Sequence, residues 1–239
     1  MAAYLNGKDL SAKAEELLNT LRVEPGHTFA EIGGLSDTIK QLREMIEWPL
    51  KYENIFDWLG VKPPRGILIS GPPGTGKTML AMAIAGENPD IPFYKLSAPE
   101  IVSSLSGQSE EKIRQVFQGV REKAPAVVFI DELDSIAGKR ESANKDMEVR
   151  IVAQLASCLD ELDASGERVI VIGVTSRPET IDSGLRRAGR FEREISLGVP
   201  NEEARIEIFK ILTQGMRLRE DFPFQEIVKW TPGYVGADL

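Results

Sequence analysis

The apolar run Gly66-Ile67-Leu68-Ile69-Ser70 leads directly into Gly71-Pro72-Pro73-Gly74-Thr75-Gly76-Lys77-Thr78. The second stretch matches the pattern G-x-x-x-x-G-K-[ST], and the residues from Lys77 to Ala85 have the composition of a helix. A strand, a glycine-rich loop and a helix in this order place backbone N–H groups and a helix N-terminus around an anion. The sequence therefore predicts a phosphate-binding loop, in which Lys77 neutralises the β- and γ-phosphates of a nucleotide and Thr78 binds Mg²⁺.

The composition limits the classes of protein to which the chain can belong. With 239 residues, it is long enough for one substantial α/β domain and a small appendage. A net charge of -8 argues against a general nucleic-acid-binding surface, so we expect no direct nucleic-acid binding. Cys158 is the only cysteine, which excludes an internal disulfide and fits a reducing compartment. No apolar run could span a bilayer and residues 1–5 lack the pattern of a secretory signal, so we expect a soluble intracellular protein without a membrane partner.

Further apolar runs alternate with helical patterns after the glycine-rich loop. The runs are Phe93–Leu96, Ala126–Ile130, Val169–Val174 and Glu194–Leu197, and the helical patterns cover about 110–122 and 149–162. Apolar strands that alternate with helices indicate a parallel sheet covered by helices on both faces. Ligands of such sheets bind beyond the carboxyl ends of the strands, where the glycine-rich loop lies. The predicted fold class is therefore an α/β P-loop NTPase sheet, followed by the start of a truncated small helical lid.

Three segments are predicted along the chain. Residues 1–24 form a leader helix, with helical spacing over Leu10–Leu18, and a linker outside the core. Residues 25–199 form the large α/β nucleotide-binding domain, and residues 200–239 begin the small helical lid. Within the large domain, Ser36 is predicted to cap a helix that Pro49 ends. Since the chain stops while the lid is being built, we expect it to be a piece of a longer protein.

The strand pattern of residues 127–130 ends in Asp131-Glu132-Leu133-Asp134, at the same predicted sheet edge as the glycine-rich loop. An isolated acidic cluster of this kind is usually a solvated turn or a helix cap. Beside a phosphate-binding loop, Asp131 is instead predicted to bind Mg²⁺, and Glu132 to orient or deprotonate the water that attacks the γ-phosphate. Small-molecule kinases also join such a loop to an acidic strand end, but they rarely need the adjacent Glu, so Glu132 favours hydrolysis. Asp134 stays open between a role in the site and a helix cap.

Arginines concentrate between Thr175 and Glu194, in a stretch that contains Leu185-Arg186-Arg187-Ala188-Gly189-Arg190-Phe191. A cluster of this kind alone would usually be a solvated basic surface. Here the order of motifs resembles that of the AAA ATPase family over almost the whole chain, from Phe29-Ala30-Glu31-Ile32-Gly33-Gly34 to residues 233–239. This combination is far more specific than a phosphate-binding loop.

The resemblance implies a homo-hexameric ring in which ATP or ADP and Mg²⁺ are held between neighbouring subunits. Arg187 and Arg190 match two arginine fingers that reach the γ-phosphate of the adjacent subunit. The predicted catalytic residues are Glu132, Lys77, Ser176, Arg187 and Arg190. The predicted nucleotide-binding residues are Glu31, Ile32, Gly33, Pro73, Gly74, Thr75, Gly76, Lys77, Thr78, Met79, Asp131, Ile208, Gly236 and Ala237. The predicted metal ligands are Thr78 and Asp131.

Within the family, the chain is similar to the first ATPase domain of tandem proteins and, more closely, to nuclear valosin-containing-protein-like ATPases. The closer similarity is carried by Ala98–Ser103, Gly107–Glu110, Lys145–Glu148, Arg150–Leu155 and Thr231–Gly233. It implies a nuclear or nucleolar remodelling machine with protein substrates, which releases assembly factors from pre-60S ribosomal particles. Two alternatives stay open: the first ATPase domain of a valosin-containing-protein-type unfoldase, and a low-turnover ring domain in which ATP serves mainly to hold the structure.

Two departures from the family pattern motivate the low-turnover alternative. Ser176 stands after Thr175, where the family usually has an Asn that orients the attacking water. A serine hydroxyl reaches less far, so slow turnover is expected. The central-pore loop falls at Ser104–Gly107 and lacks the aromatic residue of strong peptide-threading domains, so a weak grip on substrate is expected.

Several conspicuous residues have structural interpretations. Cys158 shares helical spacing with the apolar residues of 151–162, which predicts a buried small side chain rather than a reactive thiol. His27, the only histidine, has no Cys or His partner at ligand spacing, so no metal site is expected there. Trp48, Trp58 and Trp230 are predicted to be packing residues, since no basic patch interleaves with them.

Overall fold

The computed structural model describes residues 14–102, 108–137, 145–219 and 221–239. The helical elements before the first strand are α1 (14–21), a 3₁₀ turn at Phe29–Glu31, α2 (Ser36–Leu42), a π-helical segment at Arg43–Glu47, α3 (Trp48–Lys51) and α4 (Glu53–Leu59). The sheet region contains β1 (Gly66–Ser70), α5 (Lys77–Glu87), β2 (Phe93–Ser97), α6 (Ala98–Val102), α7 (Gln108–Glu122), β3 (Ala126–Asp131), α8 (Asp134–Ala137), α9 (Lys145–Ser165), β4 (Val169–Thr175), a 3₁₀ turn at Pro178–Thr180 and β5 (Phe191–Ser196). The final elements are α10 (Glu202–Leu212) and α11 (Phe224–Lys229).

The strands form one parallel sheet in the order β2-β3-β4-β1-β5. In register, Ser70 at the end of β1 pairs with Thr175 at the end of β4, and Ser97 at the end of β2 pairs with Asp131 at the end of β3. The carboxyl ends therefore lie along one edge of the sheet. The loop that follows β1 and the acidic residues that follow β3 both leave from this edge, as the sequence predicted.

Successive strand residues alternate between two cores because side chains on a strand point to opposite faces. Leu68 packs in one core, whereas Ile67 and Ile69 pack in the other. Helices α7 and α9 contribute apolar side chains to the first core, and α2, the π-helical segment and α5 contribute to the second. The predicted fold, a parallel sheet with helices on both faces, is confirmed.

The sequence misplaced two features before β1. Pro49 does not end its helix, which continues to Lys51. Pro49 lies in the first turn of α3 after the π-helical segment, and a proline is tolerated there because its missing N–H is not needed. Ser36 is the first residue of α2 rather than its cap, since Leu35 holds the N-cap position.

The expectation that the leader helix lies outside the core was wrong for its described part. Leu18 is 3% exposed and belongs to the core formed with α7 and α9. Its Cδ1 atom lies against Gly119, where an added Cβ would come within 2.7 Å of it. The chain then continues along β2, where the backbone N–H of Val23 donates to the carbonyl of Phe93 at 2.9 Å. Residues 10–13 of the predicted leader helix lie outside the described residues.

The predictions for conspicuous single residues had mixed outcomes. Cys158 is buried in the first core, and burial raises the pKa of its thiol, as expected for an unreactive packing residue. Trp48, Trp58 and Trp230 are exposed, so their assignment as packing residues was wrong. Spacing alone could not separate an apolar residue that faces the core from one on the outer side of a short helix. Within the described ranges, no helix is both long and apolar enough to cross a membrane.

Candidate nucleotide-binding site

A cleft of about 1310 Å³ opens at the carboxyl edge of the sheet. Its walls are formed by the loop after β1, the segment after β3, the ends of β4 and β5, the 3₁₀ turn before α2, and α10 with the last residues of the chain. The predicted site residues that line it are Glu31, Ile32, Gly33, Pro73, Gly74, Thr75, Gly76, Lys77, Thr78, Met79, Asp131, Glu132, Ser176, Ile208, Gly236 and Ala237. The structure therefore brings the whole predicted nucleotide set into one cleft.

The loop after β1 needs glycine at two positions for different reasons. Gly71 lies so close to the residue that follows β5 that an added Cβ would be 2.2 Å from the carbonyl oxygen of Leu197. Gly74 has a φ of +79°, and an added Cβ would lie 2.7 Å from Val235 Cγ2. A side chain at either position would displace the loop or the segment over it. The glycines thus allow a tight loop that the last residues of the chain can approach.

Lys77 opens α5 and is 7% exposed. Its ammonium group donates to the carbonyl oxygens of Gly71 at 2.8 Å and Pro72 at 2.7 Å, so it lies folded back across the loop. Burial lowers the pKa of Lys77, and the charges of Asp131 and Asp134 oppose that shift. A desolvated cation that has two carbonyl partners among the described residues is suited to bind an anion that enters the loop.

Thr78 and Asp131 form the part of the cleft suited to a divalent cation. The Thr78 hydroxyl lies 3.3 Å and 3.4 Å from the two carboxylate oxygens of Asp131. Lys95 Nζ, from the neighbouring β2, lies 3.4 Å from Asp131 Oδ2. Hydroxyl and carboxylate oxygens are ligands that Mg²⁺ prefers, and Mg²⁺ commonly takes one or two protein oxygens together with substrate phosphates. The donor set fits the predicted metal, and Lys95 is a neighbour of that set that the sequence interpretation missed.

Glu132 follows Asp131 in an unusual backbone conformation. Its φ is +53°, and it is the single non-glycine residue with positive φ in the described part of the chain. A left-handed conformation at a residue with a side chain costs about 1–3 kcal/mol and persists only where the surroundings impose it. Here the backbone N–H of Glu132 donates to Asp131 Oδ1 at 3.1 Å, and that of Leu133 donates to the carbonyl of Val174 at 2.8 Å. The turn places an exposed carboxylate on the wall of the cleft.

Asp134 binds the end of β4. Its Oδ1 accepts from the Thr175 hydroxyl at 2.9 Å and from the Ser176 backbone N–H at 3.4 Å, and its Oδ2 lies 3.4 Å from Arg177 Nε. Asp134 therefore lines the cleft and binds the end of β4, and no bond in which its carboxylate caps a helix occurs within the described residues. The partners lie 41 to 43 positions along the chain, which is why spacing could not reveal them.

The segment before α2 lines the cleft and contacts α10. The backbone N–H of Gly34 donates to Glu207 on α10 at 2.7 Å, and an added Cβ at Gly33 would lie 2.7 Å from the backbone nitrogen of Ile208. The hydrogen bond from His27, and then that from the Thr28 backbone, hold the pKa of Glu31 below its usual value. Residues predicted to bind the nucleotide are therefore joined to α10 by direct contact.

The last residues of the chain lie on the phosphate-binding loop. The backbone N–H of Ala237 donates to the carbonyl of Gly74 at 3.1 Å, and the Val235 N–H donates to Asp238 Oδ2 at 3.0 Å. Helices α10 and α11 are joined by the buried Arg205, which donates to the carbonyls of Pro200 at 2.8 Å and Val228 at 3.3 Å. These contacts explain how residues near 236 reach a loop near 74.

The two predicted arginine fingers lie outside the cleft and differ from each other. Arg190 makes a bidentate ion pair with Asp160 on α9, at 2.7 Å and 2.8 Å, and donates to the carbonyl of Gly184 at 2.6 Å. Arg187 is exposed, and within the described ranges its guanidinium group makes no hydrogen bond or ion pair. The neighbouring Arg186 is paired with Glu194 at 2.6 Å. One of these three guanidinium groups is therefore available to a partner from outside the described chain.

The comparison with known families gives the class of protein. The sequence profile described as ATPase family associated with various cellular activities (AAA) matches residues 67–199, which is more than half of the chain. This range begins in β1 and ends just before α10, so it covers the sheet and the loops that form the cleft. The chain belongs to the AAA ATPase family.

The chain is similar to several curated members of this family. It is 52% identical over 213 residues to the mouse protein Nuclear valosin-containing protein-like. The aligned region covers 88% of this chain and 25% of the mouse protein. It is 48% identical over 222 residues to the Saccharomyces cerevisiae protein Ribosome biogenesis ATPase RIX7, an alignment that covers 91% of this chain and 26% of the yeast protein. It is 50% identical over 218 residues to the Cell division cycle protein 48 homolog of Archaeoglobus fulgidus, an alignment that covers 91% of this chain and 30% of the archaeal protein. The chain thus spans less than a third of the length of these relatives.

Proposed function

We propose that the chain is a Mg²⁺-dependent module that binds and hydrolyses ATP within a homo-hexameric protein-remodelling machine. The observation that carries the proposal is the meeting of Lys77, Thr78, Asp131 and Glu132 in one cleft at the carboxyl edge of the sheet. Membership of an ATPase family supports hydrolysis as the reaction. Each residue can be given a role from its position.

The phosphates would lie in the loop of residues 73–78, whose backbone N–H groups and Lys77 ammonium supply positive charge. Thr78 and Asp131 would hold Mg²⁺, which when bound neutralises charge on the phosphate oxygens. Glu132 would orient or deprotonate the attacking water, and Ser176 would hold that water by a hydrogen bond. On the other side, the base would lie among Glu31, Ile32, Gly33, Met79, Ile208, Gly236 and Ala237.

We further propose that Arg187 completes this site in the neighbouring subunit. It is exposed and unpaired within the described chain and lies outside the chain's own cleft. A guanidinium supplied by a neighbour can raise turnover by about 10³–10⁵-fold, because it stabilises charge on the transferred phosphoryl group. Arg190 can take the second finger position only by releasing Asp160, to which it is bound by two short hydrogen bonds.

The hydrolytic role can be tested by measuring steady-state ATPase rate against protein concentration for the full-length protein. Specific activity should rise with concentration, because a shared site exists only after assembly. Glu132→Gln should lose this activity but still bind nucleotide. Glu122→Gln, an exposed change at the end of α7, is the matched control and should retain it. Equally low activity in the wild type and Glu132→Gln would instead support the low-turnover ring domain, which Ser176 motivates.

For the substrate, we propose assembly factors bound to pre-60S ribosomal particles in the nucleus or nucleolus. The names of the mouse and yeast relatives support this choice, but a Cell division cycle protein 48 homolog is equally similar, at 50% identity. Full-length Glu132→Gln, arrested with ATP, should co-sediment with large-subunit precursors in a nuclear extract, and wild type with ADP should not. Co-sedimentation with neither nucleotide would favour the unfoldase alternative.

A further inference from the structure

The end of β4 is held by a closed set of hydrogen bonds that begins at Asp134. The Thr175 hydroxyl donates to Asp134 Oδ1 at 2.9 Å and accepts from the backbone N–H of Arg177 at 3.0 Å. The same carboxylate oxygen accepts from the backbone N–H of Ser176 at 3.4 Å. The residues on both sides of Ser176, and its own backbone, are therefore fixed with respect to one carboxylate.

Asp134 also belongs to the segment that carries Glu132. It lies two residues after Glu132, and the backbone N–H of the intervening Leu133 donates to Val174 on β4 at 2.8 Å. Glu132, Asp134 and Ser176 all line the cleft. The carboxylate of Asp134 is 13% exposed and Thr175 is fully buried, so water competes poorly for these bonds.

We propose that Asp134 is a positioning residue for ATP hydrolysis, which sets the place of Ser176 relative to Glu132. This inference rests on the proposed hydrolytic function. A serine hydroxyl has one rotatable bond from the backbone, so where it can reach is decided by where its backbone lies. An asparagine would bring its amide further into the cleft with less demand on the backbone. In this chain, the hydrogen bonds that Asp134 accepts fix the backbone at Ser176, where the side chain is shorter than an asparagine.

The proposal differs from a purely structural role of Asp134. A carboxylate that only stabilised the fold would affect nucleotide binding, turnover and melting together. A positioning residue should affect turnover while leaving affinity nearly unchanged, because the oriented water matters in the transition state. It should also act through Ser176, so that the two residues are not independent.

The test is a double-mutant cycle in the full-length, assembled protein with Asp134→Ala, Ser176→Ala and the double variant. Turnover that Glu132→Gln abolishes is assigned to this site, and only that turnover is compared. Asp134→Ala should lower kcat by about 10- to 100-fold, as small displacements of reacting groups do, with KM changed by less than about twofold. Adding Ser176→Ala to Asp134→Ala should lower kcat by less than about twofold more, because the serine is already misplaced.

Two further variants keep the test decisive if Asp134→Ala folds poorly. Asp134→Asn keeps an acceptor oxygen for Thr175 and Ser176 but loses the charge facing Arg177, so it should stay within about threefold of the wild-type kcat. Asp90→Ala removes an exposed aspartate that does not line the cleft and should leave kcat and KM unchanged. Thermal melting of every variant identifies any general loss of structure.

Two outcomes would overturn the proposal, and they are distinguishable from failure of the hydrolytic function. Effects of Asp134→Ala and Ser176→Ala that multiply in the double variant would show that the residues act independently. A rise in KM with unchanged kcat would show that Asp134 serves binding instead. A wild-type protein whose turnover does not depend on Glu132 would refute the hydrolytic function itself, and the positioning role with it.

Discussion

The phosphate-binding loop and the arginine segment of residues 186–190 both concentrate positive charge, but the chain treats the two differently. In the loop, Lys77 is buried against carbonyl oxygens and lies near two acidic residues that share its cleft. In the arginine segment, Arg186 and Arg190 are paired with carboxylates, and Arg187 is left exposed. The difference fits our proposal that the chain's own cleft holds a nucleotide and that Arg187 serves the site of a neighbouring subunit.

Of the substitutions that test this difference, Arg187→Ala should have the largest effect on ATP turnover. We expect turnover of the assembled protein to fall by about 10³-fold, because the charge that stabilises the transition state in the neighbour is lost. Affinity for ADP and the melting temperature should not change, since the Arg187 side chain is exposed and makes no hydrogen bond or ion pair within the described chain. Steady-state kinetics, ADP titration and thermal melting measure the three quantities.

The matched control for Arg187→Ala is Arg193→Ala, an exposed arginine on β5. It should leave turnover within about twofold of the wild type, because replacing an exposed side chain away from a site or a packed core usually has little effect on a protein. A similar loss of turnover in both variants would mean that overall positive charge, rather than one directed guanidinium, is what the segment provides.

Arg190→Ala should act mainly on stability. Arg190 and Asp160 are 22% and 55% exposed, so losing their bidentate pair should lower the free energy of unfolding by about 1 kcal/mol or less. The hydrogen bond from Arg190 holds the pKa of Asp160 below its usual value of 3.8. Such a group stabilises the fold above its unfolded-state pKa and loses that contribution as pH falls through the folded-state value.

The difference in unfolding free energy between wild type and Arg190→Ala should therefore be complete at pH 7 and shrink below about pH 4, where Asp160 of the unfolded chain begins to take up protons. Urea unfolding at several pH values measures it. A difference that is the same at pH 7 and pH 3 would show that Arg190 stabilises the fold through packing or through its bond to the Gly184 carbonyl instead.

The smallest effect is expected for Lys95→Met. The ammonium group lies 3.4 Å from Asp131 and would compete with a cation bound there, so its removal should lower the Mg²⁺ concentration needed for nucleotide binding by about threefold. Nucleotide titration at a series of Mg²⁺ concentrations measures the midpoint. Lys62→Met removes an exposed lysine and should leave the midpoint unchanged. A higher midpoint in Lys95→Met would mean that Lys95 supports the metal site by orienting Asp131.

The sequence predicted the sheet well because its signals are local. The strands β1, β3 and β4 are apolar runs, and the glycine-rich pattern predicts the loop that follows β1. The end strand was less exact: it was predicted at Glu194–Leu197, but β5 is Phe191–Ser196. In β5, three exposed residues follow one another, Glu192, Arg193 and Glu194, so there is no alternation of buried and exposed residues from which to predict where the strand begins.

Contacts between distant segments were beyond the reach of the sequence. Spacing did not show that Leu18 joins the core, that Asp134 binds Thr175, or that Asp160 occupies Arg190. Each depends on how helices pack on the sheet, which local pattern does not encode. The predicted pore loop at Ser104–Gly107 lies outside the described residues, and the predicted roles of the individual site residues remain predictions.

The central claim is that one subunit holds the nucleotide and its neighbour supplies Arg187. The most direct test mixes two full-length variants that are each inactive alone, Lys77→Ala and Arg187→Ala, and measures ATP turnover after assembly. A mixed interface is intact when the loop belongs to an Arg187→Ala subunit and the arginine to a Lys77→Ala subunit, whereas the reverse arrangement carries both defects. The account predicts that turnover reappears in the mixture, up to about a quarter of the wild-type level for random assembly of independent sites. A mixture no more active than the average of its two components would contradict it.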